Sequence, residues 1–234
     1  MTSSSAAKFD PARAADYAEQ SRIALAGYDA CHALSACMLS AALGAGSGAR
    51  VLVVGAGGTA GEIIAAARLE DRWRFVAVDP SPPMLELARA ALDKEGLSAR
   101  VETIEGHLER IGAHAAFDAA IMIGVLHHIP GDAAKQALLS ELAARLKPGA
   151  PLVLAGNYRA YASEPLLMAA WANRWRMHGA GPDEVEARRA KILQGAEPPQ
   201  SEEAVSGLLT EAGFEPPLRF FASLFWGAWF TRRA

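Results

Sequence analysis

The sequence predicts a doubly wound α/β fold, a mostly parallel sheet with helices on both faces. Three observations carry this. Short apolar runs, beginning with Val51–Val54 and Phe75–Val78, read as strands buried on both faces. Helical stretches separate them, so strand and helix alternate five times between Val51 and Ala155. The first strand ends in Gly55-Ala56-Gly57-Gly58-Thr59-Ala60-Gly61, a glycine turn leading into the apolar helix Ile63–Leu69.

The elements follow in order. Residues 1–8 have no apolar pattern and are expected to be disordered. Asp10-Pro11 supplies an N-cap acid and a first-turn proline for a helix through Ala26 that carries Tyr17. Gly27-Tyr28 interrupts, and a very apolar helix runs from about Asp29 to Leu43. Helices over 9–44 exceed what the sheet needs, so they form either a lid over the sheet edge or packing on one face. Ser81 and Pro82 open a helix to about Lys94, and Arg100–Ile104 is a third strand. Phe117–Ile123 is a fourth, Asp132 caps a helix to Leu146, and Lys147-Pro148-Gly149 stops it before a fifth strand, Leu152–Ala155. Residues 157–212 then read as helical, rich in Trp and Arg, with Ser201 opening the last helix and Gly213 closing it. Leu218–Ala222 and Leu224–Phe230 read as a closing strand pair, all within a single domain over 1–234.

Composition narrows the function. At 234 residues and 51% hydrophobic the chain can bury one good core. A net charge of −3 and scattered Arg and Lys argue against a nucleic-acid or acidic-membrane partner. No apolar run reaches spanning length, and the start lacks a secretory pattern. Cys31 and Cys37 are spaced unlike a metal site, so no metal is expected, and they read as two buried thiols in a reducing cytoplasm.

The glycine turn and the acid after the second strand belong together. Glycine allows positive φ and close approach of a ligand to the backbone. The following helix start offers free N–H groups. Asp79, at the tip of the second strand, is placed to accept hydrogen bonds from both ribose hydroxyls of a nucleoside. Gly55, Ala56 and Gly57 with Asp79 and Pro80 therefore predict a nucleoside at the carboxyl edge of the sheet. Met84 lies over the bound base or fills the core, and His107 and Leu108, just past the third strand, fall near the adenine.

This layout resembles the class I S-adenosylmethionine (SAM) dependent methyltransferases. The matching pieces are the turn at 55–61, Val78-Asp79 with Ser81 and Met84, Phe117-Asp118, Val125-Leu126-His127-His128-Ile129 and Leu146-Lys147-Pro148-Gly149-Ala150. The resemblance implies a Rossmann-like seven-stranded sheet and SAM as cofactor, and the helices over 9–44 and 157–212 are then read as an N-terminal lid and a helical cap. A closer likeness, through Gly27-Tyr28, Glu184-Val185 with Arg188-Arg189, and Ala212-Gly213-Phe214, is to the carboxy-SAM synthase branch. It implies that Tyr28 and Arg189 touch the cofactor or its added carboxylate. Val53 replaces that branch's usual acid and Ile123 its strand amide, so the fold carries over while carboxyl transfer does not.

Candidate chemistry then falls on few residues. His128, with His127 beside it, is a base or a packing residue. Asn157, Tyr158 and Tyr161 follow the fifth strand at the active edge, where aromatic faces attract a sulfonium and an amide orients a carboxylate or amine. Arg189 is a fork for a substrate carboxylate, with Tyr17 and Tyr161 beside the substrate and Ile123 beside the cofactor. The expected activity is methyl transfer to a small carboxylate-bearing metabolite. The alternatives are intramolecular cyclisation of SAM to a four-membered amino acid plus methylthioadenosine, carboxy-SAM formation, or SAM binding without turnover. The expected partner is a small molecule, and self-association as a homodimer is left open.

Overall fold

In a computed structural model of the chain, the described residues are 11–112 and 116–234, with side chains from residue 18. The disorder expected for 1–8 and the Asp10 cap lie outside them, as does the Tyr17 side chain. Seven strands form one sheet: β1 (Arg50–Val54), β2 (Arg74–Asp79), β3 (Val101–Glu105), β4 (Ala119–Ile123), β5 (Pro151–Asn157), β6 (Leu218–Ser223) and β7 (Trp226–Arg232). Their order is β3-β2-β1-β4-β5-β7-β6. The first five pair in parallel, and β7 is antiparallel to both β5 and β6. Strand order reverses between β1 and β4, which opens a crevice at their carboxyl ends.

Alternation within each strand supplies both cores. Leu52 and Val54 of β1 face a cluster with Met122, Leu139, Leu209 and Trp229, covered by α5 (Asp132–Ala144) and α8 (Glu202–Glu211). Val51 and Val53 face Leu39, Ile63, Phe75 and Leu92, under α2 (Tyr28–Leu43), α3 (Gly61–Leu69) and α4 (Pro82–Lys94). α1 (Pro11–Ala24) meets α2 at an 85° bend, which Gly27 permits with φ +87°. No single helix among the described residues is long and apolar enough to cross a membrane.

Over the crevice lies a separate apolar cluster. It joins Ile23 of α1 to Met168, Trp171 and Trp175 of α6 (Pro165–Met177), Val185 of α7 (Pro182–Gly195) and Phe225. Trp171 Nε1 donates to the Ala24 carbonyl at 2.8 Å and Arg174 Nε to the Ile23 carbonyl at 2.8 Å. The end of α1 and the middle of α6 are therefore tied together.

Several sequence expectations need correction. The cap stops at α7, because Val205, Leu208 and Leu209 of α8 are buried in the main core. β5 runs two residues further, since β7 pairs with it out to Asn157↔Trp226. Arg100 lies in a helical turn before β3, where its guanidinium donates to the Trp73 and Ala67 carbonyls. Asp132 is the first residue of α5 and Gly131 its cap. Ser81 precedes α4, but its hydroxyl makes no cap bond; Asp79 Oδ1 accepts the Ser81 N–H instead. Ser201 does cap α8, accepting the Ala204 N–H at 3.2 Å. Cys31 is buried, whereas Cys37 is exposed because it points away from the sheet on α2.

Candidate active site

Two cavities meet at the carboxyl ends of β1 and β4. The smaller, about 150 Å³, is bordered by Asp79, Pro80, Met84, His107, Leu108 and Val125. The larger, about 510 Å³, lies beneath α1, α2, α6 and α7. Gly55, Gly57, Ile123, Gly124 and His128 border both.

The glycine turn is shaped by its surroundings. Gly55 has φ +70°, and its N–H donates to the Val78 carbonyl at 2.8 Å. Gly57 N–H donates to Asp79 Oδ2 at 3.0 Å, and Ser81 N–H to Asp79 Oδ1 at 2.8 Å. A Cβ on Gly57 would lie 2.7 Å from Asp79 Oδ2 and 2.5 Å from Met84 Cβ, so only glycine leaves the carboxylate in place. Each Asp79 oxygen thus accepts one backbone N–H and keeps acceptor capacity for a ribose hydroxyl. Burial pushes the Asp79 carboxyl above its usual range, against the pull of those two N–H groups and with the Glu62 charge adding to the rise. A carboxylate held at such a cost fits a ligand that supplies further donors.

The larger cavity has mostly apolar walls, among them Leu25, Tyr161, Trp171, Ile192 and Trp226. Several of its polar groups are held by neighbours. Tyr28 and Thr59 hydrogen-bond through their hydroxyls. His32 Nε2 lies 3.6 Å from Glu62 Oε2, and its Nδ1 is 2.8 Å from the Tyr28 carbonyl. Burial alone would lower the His32 pKa; the Glu62 carboxylate more than reverses this, and the group is held above its ordinary value. Asn157 Nδ2 donates to the Tyr161 hydroxyl at 2.8 Å. Burial pushes that phenol up, with the Asn157 bond opposing. His127 accepts the Asn157 N–H at 3.4 Å, and its ring lies 4.2 Å from that of His128.

Most candidates named from sequence gather here. Tyr28, Gly55, Gly57, Ile123, Asn157 and Tyr161 border the larger cavity, and Asp79, Pro80, Met84, His107 and Leu108 the smaller. Ala56 is fully buried beneath the turn. Two candidates lie elsewhere. Tyr158, next after Asn157, points to the opposite face, where its ring meets Trp229 edge-on at 5.0 Å and its hydroxyl accepts from Arg219 at 3.1 Å. Arg189 donates to Glu186 at 3.0 Å on α7 and borders neither cavity, whereas Lys191 two residues on does line the larger. Sequence reasoning missed His32, Glu62, Lys191 and Trp226. Only Glu62 had a signal, an acid in the first turn after the glycines.

This sheet order, with an antiparallel seventh strand and a crevice at its switch point, is that of the class I SAM-dependent methyltransferase fold. Residues 52–152 match the family described as Methyltransferase domain. That match covers less than half of the chain, and together with the fold it supports SAM as the cofactor. The chain is 30% identical over 145 residues to a carboxy-S-adenosyl-L-methionine synthase of Klebsiella pneumoniae (strain 342), over 61% of this chain and 57% of that protein. It thus spans less than two thirds of the curated relative's length. Among solved structures, a SAM-dependent methyltransferase from Aquifex aeolicus aligns over 97% of this chain and 100% of its own, with a TM-score of 0.63 and 18% identity. An O-methyltransferase family 2 protein from Planctomyces limnophilus aligns over 88% and 61%, with a TM-score of 0.62 and 17% identity.

Proposed function

We propose that the protein transfers a methyl group from SAM to a small, carboxylate-bearing metabolite enclosed beneath the cap. The observation that carries this is the pair of joined cavities. The smaller holds an acidic ribose partner, and the larger opens from the glycine turn into a mostly apolar chamber. SAM supplies a methyl group on a sulfonium, open to displacement by a nucleophile. Asp79 holds the ribose, Gly55 and Gly57 lie under the amino-acid arm, and His107 and Leu108 flank the adenine. Trp171, Tyr161 and Trp226 exclude water, which strengthens every polar contact within. Lys191, rather than Arg189, is the cation on the chamber wall for a substrate carboxylate. His128 borders both cavities, where the nucleophile's proton departs.

A second reading rests on Glu62 and Asn157, two acceptors on the same wall as the cofactor's arm. They suit the α-amine, which could then attack the arm's γ-carbon and release methylthioadenosine. Incubation with SAM and no acceptor, read by mass spectrometry, separates the two. Bound and intact SAM supports methyl transfer. Methylthioadenosine with a cyclic amino acid, above the background without protein, supports the second reading. A protein that binds no SAM refutes both.

A further inference from the structure

Asn157 closes β5, and only 6% of it is exposed. Its amide nitrogen is engaged with the Tyr161 hydroxyl. Tyr161 is itself fixed, its ring 5.1 Å from Phe225 and 6.1 Å from Trp171. The amide plane is therefore set by packed neighbours. Its carbonyl oxygen, Oδ1, is buried and has no partner among the described residues. A buried acceptor left without a donor costs about 1–3 kcal/mol, and folded proteins seldom carry one. Trp226 Nε1, a donor only, is likewise buried and unpartnered among the described residues. Both residues line the 510 Å³ chamber, and Trp226 pairs in register with Asn157 across β5 and β7.

We infer that Asn157 Oδ1 receives the N–H or O–H of the attacking nucleophile, while Trp226 Nε1 meets an oxygen acceptor on the same molecule. The ligand class is thus a small amine or alcohol that also carries a carbonyl or carboxylate oxygen. An amide takes no proton away. Asn157 is a positioning residue, one that turns the nucleophile's lone pair toward the carbon under attack. A carboxylate facing Oδ1 would meet a second acceptor, so the acid end of the ligand lies away from Asn157. This rests on the SAM-dependent reading above. The amine or alcohol has two sources of the same chemistry, the cofactor's own α-amine or a separate substrate.

The test compares wild type with Asn157→Leu, which removes the acceptor, and Asn157→Asp, which keeps it. Calorimetry gives the affinity for S-adenosylhomocysteine, which has the amine, and for methylthioadenosine, which lacks the whole arm. Thermal shift on protein saturated with S-adenosylhomocysteine then uses glycine and glycolate as probes. If the cofactor's amine is the donor, Asn157→Leu weakens S-adenosylhomocysteine at least 10-fold, spares methylthioadenosine, and Asn157→Asp restores the affinity. If the donor is a separate substrate, cofactor affinity is unmoved. A donor-bearing probe then raises the melting temperature of wild type and Asn157→Asp, and not of Asn157→Leu. The inference is overturned if Asp fails like Leu, or if neither cofactor affinity nor any probe shift depends on position 157. Wild type that binds no S-adenosylhomocysteine overturns the functional reading itself, and this inference with it.

Discussion

Asp79→Asn separates holding the cofactor from holding the fold. In wild type the two oxygens accept the Gly57 and Ser81 N–H groups at 3.0 and 2.8 Å, and each keeps capacity for a ribose hydroxyl. An amide has one acceptor oxygen, so its NH₂ faces either the Gly57 or the Ser81 N–H and offers no acceptor to the hydroxyl on that side. At least one charge-assisted bond to the ribose is lost, at about 1.5–3 kcal/mol, or roughly 10- to 150-fold in Kd. Stability should change far less, because relief of the buried charge offsets the one backbone bond the amide loses. Burial raises this carboxyl above its unfolded value of about 3.9. Its favourable contribution is therefore present below that pH and is lost as pH rises through the raised folded value. Near neutrality the buried charge is a cost that the amide removes. Calorimetry with S-adenosylhomocysteine, beside a melting curve of the free protein, reads both. An affinity within twofold of wild type would refute the placement of the ribose. A weaker affinity accompanied by a collapsed melting temperature would trace the loss to the fold instead.

Two other perturbations probe the chamber walls. Trp171 is buried, stacks on Trp175 at 5.6 Å and donates to the Ala24 carbonyl at 2.8 Å. Trp171→Ala should cost the cap about 3–5 kcal/mol. Proteolysis within residues 157–200 should accelerate; an unchanged cleavage rate would show that the cap does not depend on this cluster. His32 is held above an unfolded value of about 6.5, so its stabilising contribution is full below that pH and fades as pH rises through the folded value. His32→Gln should therefore lower the melting temperature most near pH 6 and progressively less toward pH 9, and a deficit that widened with pH would exclude the Glu62 pairing.

What was legible in the sequence followed from local rules. Val51–Val54 followed by glycines fixes a strand and a turn within a few residues, and Asp79 inherits its place from the strand that ends there. Ser201 and Gly213 mark the ends of α8 because caps are local bonds. The larger chamber was less legible because its walls meet only in the folded chain. Trp226 faces it through its register with Asn157, and that register depends on where β7 pairs with β5. Tyr158 fails for the same reason: one residue along a strand reverses the face. Arg189 and Lys191, two apart on α7, point in different directions, and helical phase set by the Val185 contact decides which one reaches the chamber. Helical spacing likewise joined α8 to the cap, when its packing against Leu139 puts it in the main core.

Much of the chamber wall comes from segments that the matched domain does not contain. Gln20, Leu25 and Tyr28 precede residues 52–152, while Asn157, Trp171 and Trp226 follow them. The residues that border the smaller cavity, by contrast, all fall within that stretch. Under the proposed function, cofactor choice falls to the sheet edge and substrate choice largely to the two ends of the chain folded against each other. These ends are not independent lids. Arg174 and Trp171 of α6 hold the Ile23 and Ala24 carbonyls at the end of α1, where the helix has no further N–H groups to offer them. Opening α1 alone would break both bonds and expose Ile23 to water, a cost that moving with α6 avoids. These bonds predict, under the proposed function, that the last turn of α1 and the cap helix α6 shift together when substrate enters or leaves, and loss of the Trp171 and Arg174 bonds should uncouple them.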